Sequence, residues 1–453
     1  MDGARRSSVP TPLRALAAVG VIAAGIAGSA GQSTAAPVCA RAASPSGSDS
    51  APGTPSAPFR TAQRLADSLA PGETGCLRAG TYEQSVTITR AGTTLRSWPG
   101  EHVTLLGRLW VERGADGVTV EGLFLDGRNA KHLPSPTINA GAVTFRGNDV
   151  TNRNTGICFL LGASDMGNNV KWGRADEATI ESNRIHDCGR LPATNHDHGV
   201  YVEAASGARI AENWIYDNAD RGVQLYPDAQ RTLVTGNVID GNGTGVIFSG
   251  EGGTASSDNV VEGNVITNSD VRENVESWWG GEPGHGNVVR GNCVHGGAGD
   301  HGDGGINAAD GGFESSANLM DAPGFVNRRA NDFRLAQSSP CRGVARTPES
   351  MPGPPRPKAR GARHRAVTIS VRSRPARGGR RLVIRGHARA RSGRLVTIRI
   401  RSRRGAHVLA RTHVRREGRF RAVRRVHARR GPVRVVAVLA NGARSRSVRV
   451  RGR

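Results

Sequence analysis

The sequence predicts an all-β protein: a solenoid of stacked strand coils followed by a small antiparallel β-sandwich of immunoglobulin-like type. Three observations carry this expectation. Seven segments are variants of one motif, VTVEGLFLDG, VTFRGNDVTN, ATIESNRIHDC, ARIAENWIYDN, TLVTGNVIDGN, NVVEGNVITNS and NVVRGNCVHGG, each with an apolar pair, a polar pair, usually an Asn, and a further apolar residue. Glycine is abundant, at 61 residues, and aromatics make up 4% of the chain, which suits many short strands joined by turns. Past residue 366 the pattern changes to VTISVRS, RLVIRGHARA, RLVTIRIRS, AHVLARTHV, GRFRAVRRV, PVRVVAVLA and SVRVRGR, alternating segments punctuated by Gly or Pro.

Taken in order, residues 1–36 read as an export signal. Arg5, Arg6 and Arg14 precede an apolar run from Leu16 to Ala30, and Ser33 to Ala36 supply small residues for cleavage. The run is too short and too rich in Ala and Gly for a membrane span. Residues 37–58 are rich in Ser, Pro, Gly and Ala, and a linker is expected there. Next, Ala62, Leu65 and Leu69 recur at helical spacing before Pro71-Gly72, predicting a short amphipathic helix that covers the first, otherwise unpaired rung.

The solenoid is expected over residues 59–343. Its repeat Asn residues fall at 148, 183, 213, 237, 264 and 292, spacings of 35, 30, 24, 27 and 28. Asn tolerates a left-handed turn, and stacked amides hydrogen-bond from coil to coil. A Pro- and Arg-rich linker, 344–365, then leads to the sandwich, 366–453, whose alternation sets Val396, Ile398 and Ile400 against Arg399 and Arg401. Residues 351–453 hold 33 Lys and Arg against Glu417 alone, whereas the rest of the chain holds 29 basic and 37 acidic residues. The basic balance therefore belongs to the C-terminal part, and its expected partners are cell-wall polyanions, with no specific nucleic acid. Export makes oxidised cysteines the expectation. Placement at the two ends of the repeats and in neighbouring repeats pairs Cys39 with Cys76, Cys158 with Cys188 and Cys293 with Cys341.

The motif series, the opening GTYEQSVTI and the phrase NRIHDCG…HGVYV resemble the right-handed parallel β-helix of the pectate-lyase-like superfamily, in its secreted actinobacterial type. The resemblance implies the fold. It leaves the activity open, because that superfamily spans lyases, hydrolases, epimerases and non-catalytic adhesins.

Chemistry concentrates between Asn195 and Tyr226, where HGVYVE and RGVQLY repeat one unit. Val200 and Val202, like Val223 and Leu225, alternate inward, so Tyr201 and Glu203 face outward over Gln224 and Tyr226. Stacking then brings His198 near Arg221 and Tyr201 near Gln224. Two long loops, LLGASDMGNNVKWGRAD and GRLPATNHD, wall this strand face. His198, Tyr201 and Arg221 are the candidate catalytic residues for elimination from a uronic acid. His196, Asp197, Glu203, Asp220, Gln224 and Tyr226 are the candidate substrate contacts, with Asp197 expected to orient a histidine. Hydrolysis would instead draw a carboxyl pair from Asp197, Glu203, Asp217 and Asp220. His186-Asp187 reads as a turn, the Trp278-Trp279 pair as ambiguous, and HGGAGDHGDGG from His295 as a mobile loop. Scattered acids lack a ligand spacing, so no cofactor is expected and calcium is the only ion worth weighing. The expected protein is a secreted monomer without a membrane span, acting on an anionic polysaccharide as a lyase or hydrolase. The alternative is a non-catalytic glycan-binding protein of the cell envelope.

Overall fold

The computed structural model describes residues 39–163, 172–191, 193–349 and 351, and in the C-terminal module 367–376, 379–388, 395–402, 405–415, 418–426, 433–439 and 448–450. The expected signal segment lies outside the described residues.

Short apolar alternations stack as a parallel solenoid of about nine turns whose strands form three sheets of eleven, nine and nine, the second including the short antiparallel strand Thr254–Ala255. Register is strict. In the first sheet Phe145, Ile180, Ile210, Val234, Val261 and Val289 align coil upon coil, all buried in one continuous core. Every expected Asn falls in one ladder: the Oδ1 of Asn183 accepts from the backbone N–H and Nδ2 of Asn148 at 2.9 and 3.0 Å. The pattern continues through Asn213, Asn237, Asn264 and Asn292 to Asn318. Two shorter ladders accompany it, Asn218 to Asn242 and Asn259 to Asn287.

The three disulfides join the expected partners. The helix forms over Ala62–Ser68, with Thr61 accepting from the Arg64 N–H as its cap and Ala62, Leu65 and Ala66 buried. The stretch expected to be a linker is built into the fold instead. Arg41–Ala43 is the first strand of the first sheet, aligned with Gly75 to Leu77, and Ala42 and Ala43 are fully buried. Small side chains suffice there because Phe59 and the helix fill the space above Ala43, while Asp49 accepts the Arg60 and Thr61 N–H groups ahead of the helix. The parallel stack ends at Phe313–Ser316 rather than running to residue 343. Phe325–Asn327 and Asp332–Leu335 pair antiparallel, and Phe333, Leu335, Cys341 and Ala345 pack on Trp214, Tyr216, Val238 and Val265 of the third sheet. Arg328 reaches Asp240 at 2.8 Å. Apolar residues on the outer face of that sheet explain this strap.

The C-terminal module forms seven antiparallel strands in two sheets. The first, second and fifth make one sheet, and the fourth, third, sixth and seventh make the other. Val367, Leu382, Ile384, Val396, Ile398, Phe420 and Val435 share its core, and Arg372, Arg374, Arg385, Arg411 and Arg421 are exposed. This is the expected immunoglobulin-like sandwich, with the fourth strand joining the second sheet.

Candidate functional site

Four consecutive strands of the second sheet, Val200–Ser206, Arg221–Gln230, Thr244–Glu251 and Val275–Trp279, present their outer faces to one groove. Its volume is about 330 Å³, within the range of small-molecule sites. The rows follow from register. Tyr201, Gln224, Ile247 and Glu276 align across four coils, and Ser249 aligns with Trp278. Gly199 lets the chain bring His198 down onto this face, since a Cβ there would meet the Asn218 amide and the Gly222 carbonyl at 2.8 Å.

His196, His198, Tyr201, Arg221, Gln224 and Tyr226 all line the groove. His198 and Arg221 are 2% and 6% exposed, and the His198 ring stands edge-on to Tyr201 at 5.3 Å. Tyr201 and Tyr226 stack at 6.3 Å, and the Tyr226 hydroxyl donates to Glu251. Arg221 donates to the Asn195 carbonyl. Four buried polar atoms of the lining, His198 Nδ1, Arg221 Nε, Gln224 Oε1 and Ser249 Oγ, make no hydrogen bond within the protein. Such atoms are rare in folded chains, because each costs about 1–3 kcal/mol.

Burial, with the charges of Arg221 and His196, pushes His198 well below the usual imidazole range. It is neutral at pH 7. Burial also lowers Arg221 and raises the Tyr201 and Tyr226 phenols, so both keep their protons. Glu276 is 2% exposed and is raised by burial despite its ion pair with Arg272 at 2.9 Å.

Three expectations for the acids need correction. Asp197 does not orient a histidine; its carboxylate takes the Arg190 side chain at 2.6 and 3.0 Å and the Arg190 N–H. Asp220 accepts the His196 and Asp197 N–H groups at 2.9 and 2.8 Å, so it shapes the loop rather than facing the groove. Glu203 lies outside the lining, beside a bulge between Val202 and Ala204. His186 is more than a turn residue: its ring joins Asp149 and Asp187 at 2.8 and 3.0 Å and stacks on Tyr216. The loop from His295 is drawn around Asp300, which accepts three glycine N–H groups.

Sequence reasoning missed Ile247, Ser249, Glu251 and Arg272 in the lining, and left Trp278, which also lines it, ambiguous. The signal was present, since TGVIFSGE repeats the HGVYVE unit and VESWW alternates in the next coil. Among the described residues no cluster of three or more His, Cys, Asp or Glu has the geometry of a metal site, and no helix is long and apolar enough to cross a membrane.

Residues 137–319 match the family model described as right handed beta helix region. No curated protein matches the chain at the sequence level. Among solved structures, pectate lyase Pel9A is 15% identical, with 66% of this chain and 90% of that chain covered and a TM-score of 0.45. XylC in complex with xylose is 12% identical over 62% and 69%, with a TM-score of 0.46. A rhamnogalacturonan lyase is 14% identical over 63% and 90%, with a TM-score of 0.43.

Proposed function

We propose that this right-handed parallel β-helix protein is exported and acts on an acidic polysaccharide, cleaving it by elimination in the groove over Tyr201 and Gln224. The observation that supports the reading best is the convergence of four buried, unbonded polar atoms, on His198, Arg221, Gln224 and Ser249, in a groove with aromatic walls. A spacer would not retain that cost. Arg221 and Arg272 line the same space and provide the cations that neutralise a uronate carboxylate, which acidifies the C5 proton beside it. His198, neutral and buried, is the proposed base. A bound carboxylate offsets the Arg221 charge that holds its affinity for protons down. Tyr201 or Tyr226, both kept protonated, is the proposed acid for the leaving oxygen.

Hydrolysis is less well supported. The acids around the groove are engaged by other groups: Glu251 takes the Tyr226 hydroxyl, Glu276 pairs with Arg272, Asp197 with Arg190, and Asp220 accepts two backbone N–H groups. Hydrolysis needs two carboxyls facing the scissile bond. Export is supported by three disulfides, which form and persist outside reducing compartments.

The test is turnover on a panel of polyuronates. Elimination yields an unsaturated uronate that absorbs in the ultraviolet; hydrolysis yields reducing ends without that absorbance. Substituting His198, Tyr201 or Arg221 singly with Ala is expected to leave the fold intact and lower turnover about a hundredfold or more. Full activity in all three removes this groove from consideration. Absence of turnover across the panel favours the glycan-binding alternative.

A further inference from the structure

The outward row of the groove continues beyond it. Leu160 aligns with Tyr201, Thr137 with Leu160 and Trp110 with Thr137, so Trp110 stands three rungs from Tyr201, about 14 Å along the solenoid. Trp172 meets Trp110 edge-to-face at 6.5 Å and is 51% exposed. The two rings are held by one buried side chain. Asn139, 3% exposed, accepts from Trp110 Nε1 at 2.8 Å and donates to the Gly173 carbonyl at 3.2 Å. Gly173 in turn bridges Ala163. Its φ of +121° and the 2.3 Å from its would-be Cβ to the Asn139 carbonyl allow no other residue at that point. Arg108 lies 4.8 Å over the Trp110 ring and is bonded only to the Pro134 carbonyl and Thr137 hydroxyl, with no carboxylate partner among the described residues.

We infer that Trp172 and Trp110, set by Asn139 and flanked by Arg108, form a second sugar-binding platform for the same acidic polysaccharide, which then runs along the solenoid axis. The inference rests on reading the groove as a glycan site and extends it. An exposed indole presents an apolar face to a pyranose ring, and an arginine without a carboxylate partner is the complement of a uronate. From Trp110 to the row of Glu276 the track spans six rungs, roughly 29 Å, ending beside Trp278, which is 44% exposed. A short oligosaccharide fills the groove alone. A polymer spans groove and platform, and the second contact raises affinity by effective concentration.

The experiment compares long-chain polygalacturonate with its trisaccharide, reading binding by quenching of tryptophan fluorescence and turnover by kcat/KM. The W172A variant is expected to bind the polymer roughly three- to tenfold more weakly, as expected for one lost stacking contact, and to handle the trisaccharide as the parent does. R108Q follows the same pattern. N139L, acting through the two rings, lowers the polymer advantage with both indoles present. Unchanged polymer binding in W172A, or a parent protein that binds polymer no better than trisaccharide, overturns the inference. R221A distinguishes the two sites. In the parent, Trp172-dependent polymer binding without any turnover keeps the platform and removes the catalytic reading, whereas turnover that is lost in R221A but unchanged in W172A keeps the groove and removes the platform.

Discussion

His186 and His198 sit twelve positions apart and are driven in opposite directions. Burial opposes the charge on both. His186, however, is held between Asp149 and Asp187, and the hydrogen bonds and charges of those carboxylates raise it to about 9. His198 faces Arg221 and is lowered. The consequences for stability follow by linkage. A raised imidazole contributes stability that is complete below its unfolded value, about 6.5, and lost as pH climbs through about 9. The His186 contribution is of the order of 3 kcal/mol at most. Melting temperature is therefore expected to fall between pH 6.5 and 9, and H186Q to flatten that slope; an unchanged slope in H186Q refutes the assignment. His198 acts with the other sign, stabilising above the unfolded value and losing its contribution as pH falls. At this scale the sequence was readable where unbroken alternation decides direction, as for Tyr201, Gln224 and Tyr226, and not for Glu203, where a bulge after Val202 interrupts it. It was unreadable for Asp197 and Asp220, because loop closure decides whether a carboxylate meets an arginine, an amide or a substrate.

Ladders are the elements that align the coils. Asn213 accepts two donors from Asn183 and itself donates to Asn237 and to the Ile180 carbonyl, with no exposure. Asn213→Ala strands two buried donors on Asn183 and is expected to destabilise by about 2–4 kcal/mol, measured by denaturant unfolding. Asn318 closes the same ladder where the bonds are only part-buried, so Asn318→Ala is expected to cost less than half as much. Equal effects would show that the amides act as turn formers rather than as a bonded column. The main ladder was legible because its spacing recurs around a fixed apolar frame. The shorter ladders were not, since Asn218 and Asn259 lie at motif ends, where the wording varies. Arg41–Ala43 was missed because alanine carries little strand signal, and its burial depends on Phe59 and a helix later in the chain.

Over the whole molecule, charge separates the work. Residues 351–453 carry 33 Lys and Arg against one acid, and the arginines described on the sandwich lie outside its core. The full chain is expected to bind immobilised anionic polymer, such as teichoic acid, with retention that falls steeply as salt approaches about 1 M, where the Debye length is about 3 Å. Retention insensitive to salt would point to shape recognition instead. The seven strands of that module and the solenoid were both visible in advance, because each repeats one pattern. The strap over the third sheet was not, since it depends on apolar residues such as Trp214 and Val238 on an outer face that alternation assigns to solvent.

The ladders also make the groove adjustable in whole units. Asn237 and Asn264 occupy the same point of successive coils, so excising the residues between them removes one turn without disturbing the rank of the rest. Val275–Trp279 would then adjoin Arg221–Gln230 directly, Glu276 would neighbour Gln224, and Ile247, Ser249 and Glu251 would leave the lining. The track would shorten by about 4.8 Å, the interval set by the backbone itself. In such an architecture the length of the groove is quantised, and a lineage can retune it by duplicating or dropping a coil where a globular protein would have to rebuild its cleft residue by residue.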